Sequence, residues 1–195
     1  KYIFFDIEAM PETGIHKANL VVAQYMNGEQ HDFSNLETFC EWLIHRRHQH
    51  YTVLAHYGKG YDFQFIMNYC ITQNIRHKSI YNGSKIMYLE IQHGLHLRFV
   101  DSFNFMTMPL KNMPATFGLC ELKKGYFAHL FNTEEHQNYR GVMPPMNDYH
   151  LEAMSETEQS TFRLWYKQQK DMHQRKLLYW KHVLVNIDKN TKEPV

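Results

Sequence analysis

Two carboxylates one residue apart, Asp6 and Glu8, close an otherwise apolar run, YIFFDIE. In a strand, residues i and i+2 face the same way, so the pair converges on one spot. Like charges held that close repel one another unless a cation lies between them. All-oxygen ligation suits hard divalent ions such as Mg²⁺ or Mn²⁺, and two such ions can clamp an in-line phosphoryl displacement. A third carboxylate, Asp62, follows VLAHYGKGY and falls in the first turn of a predicted helix. The helix dipole favours an anion there, and the position can reach the end of a neighbouring strand. Asp6, Glu8 and Asp62 are therefore candidate metal ligands. Solvated carboxylates at a strand end and a helix start are the plain alternative.

The elements that must position these groups are legible from hydrophobic period and turn residues. YIFFDIE reads as a strand ending before Pro11 and Gly14. NLVVAQYM and QHDF read as a hairpin around Asn27-Gly28. Ser34 is placed to cap a helix through LETFCEWLIHRR, with Glu37 completing a capping box. YTVLAH is a second buried strand, followed by the glycine loop YGKG and a helix, YDFQFIMNYCITQN. SKIMYLEIQ and LHLRFVDS read as a hairpin about Gly94, and PLKNMPATFG as a short helix closed by Gly118. Residues 123–150 read as an irregular excursion, and 155–182 as a helix. Strands and helices in this order predict an α/β domain with a mixed sheet.

The chain has 195 residues, 44% hydrophobic and 15% aromatic, enough for one domain with a sizeable core, with or without a helical appendage. A net charge of +1 means that any nucleic-acid contact rests on local patches rather than a global field. Cys40, Cys70 and Cys120 show no C-x-x-C spacing, which argues for reduced thiols in an intracellular setting and against a zinc knuckle or disulfide frame. No apolar run approaches the length of a membrane span, so no membrane role is expected. A start at Lys1, already in a strand, reads as an excised piece of a longer chain. His45, His48 and His50 read as a surface helix end. Arg163, Lys167, Lys170, Arg175, Lys176 and Lys181 read as a solvated helical face, or alternatively as a phosphate-contacting stripe.

Several longer stretches belong together: FFDIE; AHYGKGYDFQFI; NGSKIM with FVDSFNFMTMPLKNMPATFGL; ELKKGYFAHLFNTEEHQNYRGVMPP; and FRLWY. Across residues 1–171 they resemble the 3′–5′ exonuclease domain of protein-primed family B DNA polymerases, of the Polinton/Maverick transposon type and, less closely, of linear plasmids and related viruses. The resemblance implies a ribonuclease-H-like exonuclease fold, a mixed sheet flanked by helices. It implies removal of mismatched 3′ nucleotides with two Mg²⁺ or Mn²⁺ ions held by Asp6, Glu8 and Asp62. It further implies that Ser102 and Phe103 form the strand-binding motif, and that Lys124, followed by Phe127, corresponds to the catalytic lysine motif. Tyr61 and Phe65 flank Asp62 where bases could stack. The implied partners are a single-stranded DNA 3′ end and the polymerase half of a longer parent chain, in the nucleus.

Two departures qualify that reading. The second motif's asparagine, which helps hold the terminal nucleotide, is Tyr57 here. The third motif, Tyr-x-x-x-Asp, is missing from residues 172–195, which read as a divergent C-terminal segment. The nearest register places Asn186 and Asn190 there, Tyr166 and Asp171 have the wrong spacing, and Asp188 lacks a tyrosine four residues before it. Loss of one carboxylate predicts weakened catalysis. The alternative is an inactive, domesticated remnant that binds DNA or a protein partner. The polymerase's own aspartate motifs do not occur in these residues, so DNA synthesis is not expected of them.

Overall fold

The apolar N-terminal run forms β1 (Tyr2–Met10), in which Ile3, Phe5 and Ile7 are buried and Tyr2, Phe4 and Asp6 are exposed. That alternation is the period of two expected of a half-buried strand. The computed structural model describes residues 1–10, 14, 16–92, 94–118, 126–139 and 141–173. The chain divides into two compact units, Lys1–Asn112 and Met113–Val195.

The first unit is built on a seven-stranded sheet of order β3-β2-β1-β4-β7-β6-β5. Its strands are β1, β2 (Lys17–Tyr25), β3 (Gln30–Phe33), β4 (Thr52–Ala55), β5 (His77–Asn82), β6 (Lys85–Ile91) and β7 (Leu97–Asp101). The three central strands β1, β4 and β7 run parallel, and antiparallel hairpins extend the sheet on both sides. The mixed sheet expected from the order of elements is thus present. Helices α1 (Leu36–Leu43) and α2 (Asp62–Thr72) share one core with the inward-facing strand residues, including Phe39, Leu43, Phe63 and Ile66. Phe5 stacks on Phe39 with ring centroids 5.5 Å apart, and Phe63 meets Phe99 edge-on at 5.9 Å.

The local expectations are corrected at several places. Asn35, not Ser34, caps α1, its side chain accepting from the Thr38 amide at 2.9 Å. An Asx side chain reaches the third helical amide better from that position. The helix stops at Leu43, and Arg46–His48 form a separate 3₁₀ turn. His48 is not at the surface: it is buried, donating from Nδ1 to the Leu43 carbonyl at 2.9 Å and accepting at Nε2 from the Tyr25 hydroxyl. β5 lies at the sheet edge where no strand was expected, since most of its residues are solvated and its pairing with β6 alone defines it.

The second unit holds α3 (Met113–Thr116), short 3₁₀ turns at His129–Phe131 and Met146–Tyr149, and α4 (Glu156–His173). Its core is aromatic: Phe162 lies 5.0 Å from both Tyr126 and Tyr149, and Tyr166 donates to the Pro144 carbonyl at 2.9 Å. The positions sought for the third motif, 186–190, and Cys120, Arg175, Lys176 and Lys181 lie outside the described residues.

Candidate functional site

Three parallel strands end on the same side of the sheet, and every first-unit candidate lies on or just beyond their carboxyl ends. Ligands of open α/β sheets bind in that position, where the strand order reverses. On β1, Asp6 is exposed and Glu8 half-buried, and a register shift between Glu8 and Ala9 marks a bulge against β2. Such bulges re-aim side chains beside functional sites. Phe4 is opposite Leu54 on β4, so Asp6 projects past the end of that neighbour.

Asp62 opens α2 and is 6% exposed, with Oδ1 accepting from the Ile7 amide at 3.2 Å. Burial pushes its carboxyl up to about 7, and the negative charges of Asp6 and Asp101 add to the rise. The Ile7 hydrogen bond acts the other way and is outweighed. Tyr61, the residue before it, has its phenol raised by burial, then by Asp62 and Glu8. Asp6 is therefore an electrostatic neighbour of Asp62, and Glu8 of Tyr61. Among the described residues, however, no three His, Cys, Asp or Glu side chains are grouped as a metal ion requires. In chemistry the set still suits a hard divalent ion: its donors are all carboxylate oxygens, and the buried member carries charge that a cation would offset.

The Tyr61 hydroxyl hydrogen-bonds His16 Nδ1 at 2.8 Å, and its ring meets Phe65 edge-on at 5.0 Å. Phe65 itself packs partly into the core. Tyr57 is 47% exposed and left-handed, with φ 68. Its ring lies edge-on to Phe103 at 4.9 Å. Ser102 donates to the Ala55 carbonyl at 3.1 Å and pairs with His56 Nδ1 at 2.9 Å. In the second unit Phe127 is buried, 5.0 Å from the His129 ring. Lys124 lies outside the described residues. Arg163, Lys167 and Lys170 are exposed on α4.

Two residues of this region went unread in the sequence. His56 follows β4, and its Nε2 bonds the Met108 carbonyl at 2.9 Å. A carbonyl can only accept, so that nitrogen carries a proton. Asp101 ends β7, wholly buried, and accepts three backbone N–H groups: Tyr57 and Phe103 at 2.8 Å on Oδ1, Lys59 at 3.1 Å on Oδ2. Only the A-H that opens the second motif and the D-S at the end of a predicted strand hinted at them.

Comparisons with known proteins agree with the geometry. The chain is similar in structure to phi29 DNA polymerase complexed with single-stranded DNA, at TM-score 0.57 and 14% identity, over 99% of this chain and 32% of that one. Two further phi29 polymerase structures, a ternary complex with primer-template DNA and incoming nucleotides and a post-translocation binary complex, match at TM-score 0.56 with 13% and 14% identity and the same coverage. The chain therefore spans about a third of the length of the polymerases it matches. No curated protein matches it by sequence. The fold is the α/β fold, a mixed sheet flanked by helices, that the resemblance implied, and it is shared with part of phi29 DNA polymerase. Residues 44–184, well over half of the chain, match the family described as DNA polymerase type B, organellar and viral. By that match and by its fold, the chain belongs to the type B DNA polymerases of organelles and viruses.

Proposed function

We propose that this chain is the proofreading domain of a protein-primed polymerase of Polinton type, acting on the 3′ end of single-stranded DNA. The observation that carries the reading is Asp62, buried at the rim of the parallel strands with Asp6 as a charged neighbour and with Glu8 acting on the adjacent Tyr61. These three would hold Mg²⁺ or Mn²⁺. When bound, such ions activate water and stabilise charge on the scissile phosphate. The protein's own part is to gather the anions and to present Tyr61, Phe65, Ser102 and Phe103 to the strand. Catalysis is weakened, because the expected tyrosine and fourth carboxylate have no counterpart in the sequence. The polymerase half of a longer parent chain is the natural partner, and the nucleus the setting.

A second reading is favoured by Tyr57, an exposed ring at the place where the resemblance calls for a nucleotide-holding asparagine. In it the domain has retired from catalysis and binds DNA or a protein. Calorimetric titration with Mn²⁺ and Mg²⁺, paired with a 5′-labelled oligonucleotide assay, separates the two. The nuclease reading expects metal binding that Asp6→Ala abolishes, with slow stepwise shortening from the 3′ end. Rapid degradation would overturn the weakening. An intact oligonucleotide and no bound metal would leave the second reading.

A further inference from the structure

We propose that Asp101 is the positioning residue of a base-stacking contact made by Tyr57, Lys59 and Phe103; this deepens the DNA-binding reading above and rests on it. Asp101 stands where β4 and β7 end side by side, paired in register with Ala55. The chain leaving β4 and the chain leaving β7 both return their amides to its one carboxylate. A buried carboxylate with no hydrogen bonds is costly, so these three N–H groups are what makes the position tenable. With two amides on one oxygen and one on the other, its role is to hold backbone rather than to touch ligand.

What it holds is unusual. Tyr57 occupies the left-handed region, which a tyrosine seldom adopts and an asparagine adopts more readily. Gly60 leaves room for the ring: a Cβ there would stand 2.9 Å from Tyr57 Cε1. The outcome is an exposed tyrosine edge-on to Phe103, with Lys59 Nζ 5.1 Å above the Phe103 ring and hydrogen-bonded to Asn104. Aromatic faces beside a cation suit single-stranded nucleic acid of any sequence, since every base offers a π-face and every link a phosphate. The exposed Tyr57 ring thus offers stacking that any base can use.

The test is fluorescence anisotropy in EDTA with a short 5′-labelled oligothymidylate and the same oligomer lacking its 3′-terminal bases. Wild type is expected to prefer the base-bearing oligomer by about tenfold. Tyr57→Ala and Asp101→Asn should each bring that ratio near one, and the double variant should go no further. The salt dependence of the residual binding should stay unchanged, which separates loss of stacking from general damage. Hydrogen exchange on wild type gives a second measurement that needs no variant to fold: the Tyr57 and Lys59 amides should be protected although they lie outside helix hydrogen bonding and strands. Folded Asp101→Asn that keeps the full ratio, equal binding of both oligomers by wild type, or unprotected amides would each overturn the assignment. Failure of wild type to bind either oligomer would overturn the DNA-binding reading itself.

Discussion

Asp62 is held against its own preference for solvent. Its carboxyl titrates near 7 in the fold and at 3.8 when unperturbed, so the folded state binds the extra proton between those limits. Stability is therefore lost as pH rises from about 4 to about 7, by up to about 4 kcal/mol for a shift of this size. An asparagine can still accept from the Ile7 amide but cannot ionise. Asp62→Asn should raise stability at pH 8 in EDTA by about 1–3 kcal/mol and flatten the dependence between pH 5 and 8. Urea unfolding of both proteins across that range checks it, and equal midpoints at pH 8 would refute it. The pair Asp6 and Glu8 was legible because a strand's period is rigid. Asp101 was not, because its partners are amides of residues 57, 59 and 103, and nothing in a one-dimensional string marks an amide as unpaired.

The turn between β4 and α2 is the element on which the site depends. Gly58 is buried there, and a Cβ at that point would stand 2.7 Å from the Ala55 Cβ and 2.8 Å from Phe63 Cε1. Ala55 belongs to a paired strand and Phe63 to the aromatic core, so neither neighbour can yield cheaply. Gly58→Ala should destabilise the fold by about 1–3 kcal/mol, measured as a lowered urea midpoint; an unchanged midpoint would mean that the turn adapts. Gly60→Ala meets only the Tyr57 ring and makes the matched control. Elements with strong patterns, such as the alternation of β1 and the Asn27-Gly28 hairpin, read directly from sequence. β5 did not, since Lys78, Ile80, Tyr81 and Asn82 are all exposed and an edge strand takes its identity from its neighbour. The cap of α1 slipped by one residue because Ser34 and Asn35 are both competent caps, and only the reach to Thr38 decides between them.

Across the whole molecule two buried titratable groups oppose one another. His48 has its imidazole pushed below the ordinary histidine range by burial, so the fold favours its neutral form. That contribution is present above about pH 6.5 and is lost as pH falls below it. Asp62 works the other way, so without divalent ions the two slopes offset one another just below pH 6.5, and the fall in stability that Asp62 imposes should flatten there before resuming up to about pH 7. Urea midpoints at closely spaced pH values test this, and an unbroken decline through that interval would contradict it. The arrangement of the sheet has a consequence for how such a chain can change over evolutionary time. Because β1, β4 and β7 end together, the candidate residues of the first unit sit on or just beyond their carboxyl ends at one rim, while Ile3, Val53 and Phe99 lie in the interior. Substitution at the rim can alter what is recognised without asking the interior to repack, and interior drift can proceed without disturbing the rim. A lineage built this way can change what its rim recognises and still inherit the same architecture.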